Sequence, residues 1–444
     1  MNYKYIFKFF LILSSALFLS CTSKTEKKIT QSEIKRNISA QKVYENLLEE
    51  LKAKDMAVDL YLASLNKVQQ LCQVFIVSVE GNKKYFPVEK QSAVNKEFSS
   101  KEPLLPGGVI LFSFNLDTFA EEIMKYTDSI KDYYNSKNNP LPYIALDQEG
   151  GNVNRLRKIA SPLPSPKYTA ENYNLSKAYK IYSNHAEQTS LLGITMNLAP
   201  VVEVETAENK DFLNGRSFGS LETVEKYSAV QILAFRKNNI GSVIKHFPGN
   251  TNDDPHLNLP KLNLNKNEAE ELKKPFVFLN NISPDAVLMS HVVMNIKDVY
   301  EEKIPSCLSH YWVNDILINE TGFNGLVISD DIFMSALQNN GFTPQKAALM
   351  AIDAGVDVIM ISEKLFGHIA KILYDKANED FVFDSKLKKA EKKVIEYKLK
   401  YGVLKYSKNS DGTYSIKNNL NFKTIDERMK LFEKAKVQGE ILNG

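Results

Sequence analysis

The chain has 444 residues, 43% of them hydrophobic, which is enough for one barrel of roughly 250 residues or more, or for two ordinary domains. Lys and Arg number 56 against 53 Asp and Glu; the formal net charge of +3 has no long basic block behind it, which excludes the electrostatic footprint of a nucleic-acid binder. Three cysteines, with no CxxC, no HExxH and no His pair at metal-ligand spacing, leave a disulfide framework and a zinc site without support.

The N-terminus reads MNYKYIFKFFLILSSALFLSCTSKTEKK, with lysines first, an apolar run from Phe9 to Leu19, then Ser20 and Cys21. That run is too short to cross ~30 Å of hydrocarbon comfortably, and its flanks are those of an export signal covering 1–20. The ending LFLSC resembles the bacterial lipobox, which implies that Cys21 is lipidated and becomes the first mature residue, with acyl chains anchoring an exported lipoprotein to a membrane face. An ordinary cleaved signal and an uncleaved anchor are the alternatives. The composition of 21–45, rich in Ser, Thr, Lys, Glu and Gln, suits a tether. Helical periodicity follows in AQKVYENLLEELKAKDMAVDLYLASL. Cys72 and Cys307 read as buried small apolar residues.

Eight short apolar runs bounded by turn chemistry come next: Leu71–Val79, Gly108–Phe114, Tyr143–Gln148, Ile194–Val204, Ser242–Phe247, Asp285–His291, Gly325–Asp331 and Val356–Ser362. Most are near-continuous, as parallel strands buried on both faces require, and amphipathic segments such as Ser176–Leu192 and Thr223–Lys237 separate them. This predicts an α/β chain, a (β/α)8 TIM barrel over 46–404, with a short N-terminal helical extension and a C-terminal appendage at 405–444. An open doubly wound sheet is the alternative, but no GxGxxG or Walker-type loop follows a strand. The lysine-rich helix expected at Asp384–Leu404 is placed outside the last strand. The appendage carries a turn at Asp411-Gly412 and an amphipathic end.

In a barrel, reacting groups gather at the C-terminal ends of strands. Here strand three runs into DQEGG, strand five ends in KHFPG, strand six in SH and strand seven in SDD. Any one such cluster can be a helix cap, but four on one rim point to a site. Asp330 can serve as nucleophile, base or ion-pair partner, and Asp331 beside it points the other way if the strand continues. His256, with Asp254 before it and Pro255 between, can be a proton donor whose imidazole is oriented by the carboxylate. Lys245, His246, Arg155 and Arg216 can donate to substrate hydroxyls and Asp147 can accept, a set that suits a polyhydroxylated ligand. A Schiff-base aldolase is the alternative for Lys245, if desolvation depresses its pKa.

Together ALDQEGGNVNRL, NLAPVVEV, NGRSFG, VIKHFPGN…DPHLNLP, LMSHVVM, GFNGLVISDDIFMSAL and AIDAGVDVIMIS, in that order from Leu71 to Ser362, resemble glycoside hydrolase family 3, in particular its β-N-acetylglucosaminidases of the peptidoglycan-turnover type. The resemblance implies a retaining exo-acting enzyme working through a covalent glycosyl-aspartate. Asp330 matches the nucleophile, and His256 with Asp254 the acid/base pair. Asp147, Arg155, Arg216, Lys245 and His246 match the residues that hold N-acetylglucosamine. It implies no metal or organic cofactor, and a glycan or muropeptide as ligand. A carboxylate–histidine pairing departs from the two carboxylates ~5–5.5 Å apart of most retaining glycosidases. The stretch also departs from the family: Asn250 and Thr251 replace a His-Gly, the segment up to Asp254 is shorter, and Pro255 replaces a serine.

Two other readings stay open. One is a catalytically weak glycan-binding lipoprotein of the same fold, and the other a family 3 β-glucosidase. His185, His310 and His368 read as surface or packing residues, His291 as a residue of the pocket floor or the core, and Trp312 as core.

Overall fold

The computed structural model describes residues 31–87, 98, 103–253 and 259–443. The signal segment with Cys21, and Asp254 with His256, lie outside them. Eight parallel strands follow in chain order: β1 (Phe75–Ser78), β2 (Gly108–Ile110), β3 (Tyr143–Leu146), β4 (Met196–Asn197), β5 (Gly241–Phe247), β6 (Ala286–Met289), β7 (Leu326–Ile328) and β8 (Ile359–Ser362). Each pairs with its successor from β1 to β7, β8 pairs with β1, and a bridge between Ile328 and Val358 joins the seventh to the eighth. The sheet therefore closes, and the open-sheet alternative falls. All four residues of β3 and all seven of β5 are buried, which is why these stretches read as unbroken apolar runs with a few polar members.

The strands are shorter than the runs suggest. Leu71 and Cys72 close a short helix, Lys67–Cys72, capped by Asn66, before β1 begins. β4 ends at Asn197, so the segment through Val204 leaves the sheet apart from a bridge between Val201 and Lys245. Gln148 opens a tight antiparallel pair, Gln148–Gly150 with Val153–Asn154, instead of ending β3.

The main helices are α1 (Gln31–Ser64), α2 (Ala120–Ser136), α3 (Leu175–Leu191), α4 (Leu221–Lys237), α5 (Lys266–Asn280), α6 (Pro344–Ala354), α7 (Glu363–Glu379), α8 (Phe381–Lys400) and α9 (Ile425–Asn443). Asn174 and Ser220 cap α3 and α4 by accepting backbone N–H bonds from Lys177 and Thr223. Between β6 and β7 the chain winds wide over Tyr311–Glu320, and the Thr321 N–H reaches the carbonyl of Ile316. Trp312 is core there, its indole donating to the Met294 carbonyl at 3.0 Å. Cys72 and Cys307 are free and buried.

α1 opens at Gln31, so the stretch expected as a tether is helical from that residue onward. α8 also departs from expectation. It lies under the barrel at the strand starts, not outside the last strand, a position taken by α7. Its apolar face, Phe383, Leu387, Ala390 and Val394, packs into the core, and polar contacts mark its place: Lys400 pairs with Asp285 at 2.5 Å just before β6, Lys393 with Asp357 at 2.7 Å before β8, and the Tyr397 hydroxyl donates to the Thr195 carbonyl before β4. The appendage forms a hairpin, Leu404–Lys408 with Tyr414–Asn418, that packs on α1, and then α9, which packs across α3 and α2.

Candidate active site

The functional side chains come from the upper ends of β3 to β7. At the end of β3 the chain turns so that Asp147 and Glu149 face one another across Lys245, which rises from β5. The Lys245 ammonium lies 2.8 Å from Asp147 Oδ1 and 2.7 Å from Glu149 Oε1, and is buried. Arg216 grips Glu149 with both arms, Nε to Oε2 at 2.8 Å and Nη2 to Oε1 at 2.9 Å, while Arg155 Nη2 stands 3.5 Å from Asp147 Oδ2. The paired geometry between Arg216 and Glu149 is the strong, directional form of such a bond.

Burial alone drives the Glu149 carboxyl up, but Lys245 and Arg216 outweigh it and hold the group at about 2. For Lys245 burial pulls down and the charges of Asp147 and Glu149 pull up harder, so its pKa is raised. A Schiff-base lysine needs the opposite shift, and the aldolase alternative falls on that ground.

Asp330 sits just past β7. Burial raises its carboxyl; His291, His246, the Asp331 amide and Lys245 hold it below the ordinary range all the same. The Asp331 N–H donates to Asp330 Oδ1 at 2.9 Å. Asp331 turns its own carboxylate to the Phe333 N–H at 2.9 Å, the divergence expected of neighbours on a strand end. His291 is buried between the Cys307 sulfur at 3.1 Å and the Asp331 carbonyl at 3.0 Å, on the floor beside Asp330. His246, joined to Lys245 by a cis peptide, meets Glu203 Oε1 through Nδ1 at 2.7 Å.

Thus Asp147, Arg155, Arg216, Lys245, His246 and Asp330 gather on one rim. Glu149, Glu203, Asn197 and His185 were not singled out by the sequence. Glu149 stands inside the DQEGG motif and could have been found there; its partners are set by the fold. Asn197, a polar residue in an apolar run, clamps Gln148 by accepting from its N–H at 3.0 Å and donating to its carbonyl at 3.1 Å.

Gln148 Oε1 in turn takes the N–H groups of Arg155 and Leu156, so its amide nitrogen donates to Asn154 Oδ1 at 2.7 Å and to His185 Nε2 at 2.7 Å. His185 must accept there, and burial, which lowers its pKa to about 4, keeps it neutral for that role. His185 is thus a buried support of the turn that carries Asp147 and Glu149. His310 is exposed, 3.4 Å from Asp315, and His368 meets Gln345 at 3.2 Å on an exposed face.

Such an arrangement has an ionised carboxylate at a rigid strand tip beside preorganised cations and acceptors. It can bind hydroxyl groups and present a nucleophile to a carbon between them.

Solved structures share this fold. A glycoside hydrolase family 3 β-N-acetylglucosaminidase from Paenibacillus sp. str. FPU-7 matches with a TM-score of 0.69 at 22% identity, covering 84% of this chain and 68% of that one. Native NagZ from Neisseria gonorrhoeae matches at 0.61 and 21% identity, over 84% and 98%. In sequence, the chain is 30% identical over 273 residues to beta-hexosaminidase A of Pseudoalteromonas piscicida, a match spanning 57% of this chain and 45% of that protein. It is also 30% identical over 265 residues to the beta-hexosaminidase of Alkalilimnicola ehrlichii, spanning 57% and 73%. The model of the glycosyl hydrolase family 3 N terminal domain matches residues 65–396, three quarters of the chain, and the protein belongs to that family.

Proposed function

We propose that the protein is a retaining exo-β-N-acetylglucosaminidase that removes terminal non-reducing β-linked N-acetylglucosamine from peptidoglycan fragments. The observation that carries the reading is Asp330, held ionised beside His246 and Lys245 at the end of β7, in a family 3 chain similar to proteins named beta-hexosaminidase. Asp330 attacks the anomeric carbon to form the glycosyl-enzyme. His256, oriented by Asp254, protonates the departing oxygen and later draws a proton from water. Asp147, Arg155, Arg216, Lys245 and His246 form the polar wall that holds the sugar hydroxyls. Lipidation at Cys21 keeps the enzyme on a membrane face outside the cytoplasm.

Release of nitrophenol from 4-nitrophenyl β-N-acetylglucosaminide by protein lacking residues 1–21 tests the activity. The Asp330→Asn variant is expected to lose about 1000-fold or more in kcat, and turnover at the parent rate would remove Asp330 as nucleophile. His256→Ala is expected to fail on alkyl glycosides while keeping part of its rate on nitrophenol, whose departure needs little proton donation. The altered stretch at Asn250 and Thr251 favours one other reading, a glycan binder without turnover. Binding of N-acetylglucosamine with no hydrolysis by the parent would establish it.

A further inference from the structure

Glu203 lies past the end of β4, inside the apolar-looking run VVEV, and is 5% exposed. Its two oxygens are used unequally. Oε1 accepts from three donors: His246 Nδ1 at 2.7 Å, Asn250 Nδ2 at 3.2 Å and the His246 backbone N–H at 3.4 Å. Oε2 is buried with no hydrogen-bond partner among the described residues. The side chain lines a small cavity whose other walls include Val204, Pro248, Gly249, Leu272 and Phe276. Thr206, Asn209 and Glu271 also line it, and a residue present only to line such a space needs no charge, because a buried carboxylate carries a desolvation penalty. Its charge also favours the Arg216 cation, but its hydrogen bonds all run through Oε1, and the three donors belong to the strand-five end and the residue that follows the KHFPG turn.

We propose that Glu203 is a positioning residue for sugar recognition. It fixes the tautomer and ring orientation of His246 and ties that ring to Asn250. With Nδ1–H donating to the carboxylate, the ring turns Nε2 toward the site, where that nitrogen meets a sugar hydroxyl. The Phe212 ring, 6.0 Å away at 63°, packs against the imidazole from the other side. The same oxygen that aims the ring also holds Asn250, the position where this chain departs from its relatives. One carboxylate thereby holds both the His246 ring and Asn250.

The proposal rests on the glycosidase reading above, and its test separates the two. Steady-state kinetics on 4-nitrophenyl β-N-acetylglucosaminide would compare the intact protein with Glu203→Gln, Glu203→Leu, His246→Ala and the Glu203→Leu/His246→Ala double variant, each checked for an intact thermal transition. Ring-nitrogen NMR on histidine-labelled protein would read the His246 tautomer directly. Glu203→Gln keeps an accepting oxygen and should lose less than about 10-fold in kcat/KM, whereas Glu203→Leu should lose about 10- to 100-fold, the range for a group that orients another. The double variant should lose clearly less than the sum of the two single losses, since both changes remove the same ring–carboxylate contact. The parent spectrum should show His246 protonated at Nδ1, and Glu203→Leu should lose that signature.

Leucine performing as well as glutamine, additive losses in the double variant, or a parent ring protonated only at Nε2 would each overturn the assignment. If the parent turns over no substrate, the glycosidase reading fails, and the NMR comparison alone decides for or against Glu203.

Discussion

Glu149 is fully buried, and a carboxylate can stay ionised there only because Lys245 and Arg216 press against both of its oxygens. Its pKa of about 2 lies below the ordinary 4.5, so the group adds stability that is fully present above pH 4.5 and is lost as the pH falls through about 2. The shift corresponds to roughly 3 kcal/mol. Glu149→Gln should therefore be less stable than the parent at pH 7, where it takes a counter-charge from Lys245 and Arg216, and should change less between pH 4.5 and 2. Urea midpoints across that range check this, and parallel profiles for the two proteins would show that another carboxyl carries the acid sensitivity.

Asp330, Asp147, Lys245 and His246 could be picked out without a structure because polar residues at the ends of apolar runs stand out against their surroundings, whereas Arg216 lies in no such run and was placed by the NGRSFG motif of the resemblance. Glu203 could not. Its run looked like strand to Val204, and only the early end of β4 at Asn197 frees the following segment to lay a carboxylate beside His246. His185 was equally hidden, since a helical histidine declares its partner only when Gln148 is folded onto it.

The helix α8 shows what periodicity alone leaves out. Its apolar stripe was legible and its length nearly so, yet its place under the barrel depends on where Tyr397, Lys393 and Lys400 find acceptors among the strand starts. Gly241, the first residue of β5, is part of the same fit. A Cβ there would stand 2.3 Å from the Tyr397 hydroxyl and 2.7 Å from its ring, and the backbone itself is not in a glycine-only conformation. Gly241→Ala should therefore cost about 1–3 kcal/mol through overpacking, and Tyr397→Leu in the same chain should recover part of that loss. Tyr397→Leu alone gives up the bond to the Thr195 carbonyl, so it should destabilise when Gly241 is retained. Urea unfolding of the four proteins measures the coupling. Strictly additive costs would mean that the strand start does not sense the helix.

Stability and chemistry occupy opposite ends of the barrel, but α9 reaches toward the chemical end although it lies beyond the span of the family match. Gly439 on α9 packs so closely that a Cβ would lie 2.2 Å from Ser161 Oγ and 2.3 Å from Asn184 Oδ1. Asn184 donates to the Ala435 carbonyl at 2.8 Å, and Gln188 donates to Ser161 Oγ at 2.7 Å and accepts the Ser161 N–H at 2.9 Å. Two residues on, the Leu163 carbonyl takes the Gly151 N–H at 3.0 Å, next to the turn that carries Asp147 and Glu149. Asn184 and Gln188 share α3 with His185, whose ring holds Gln148. One helix thus meets α9 on one side and the turn that carries Asp147 and Glu149 on the other.

Gly439→Val should push α9 off this contact, cost about 1–3 kcal/mol, and speed amide exchange through 147–165 before the barrel strands themselves loosen. On the proposed function, KM should rise more than kcat falls, because the turn would hold substrate while Asp330, the proposed nucleophile, follows β7, away from the disturbance. Hydrogen exchange followed by mass spectrometry reads the first effect and steady-state kinetics the second. A loss of stability with exchange in 147–165 unchanged would make α9 a cover for the barrel wall with no hold on the site.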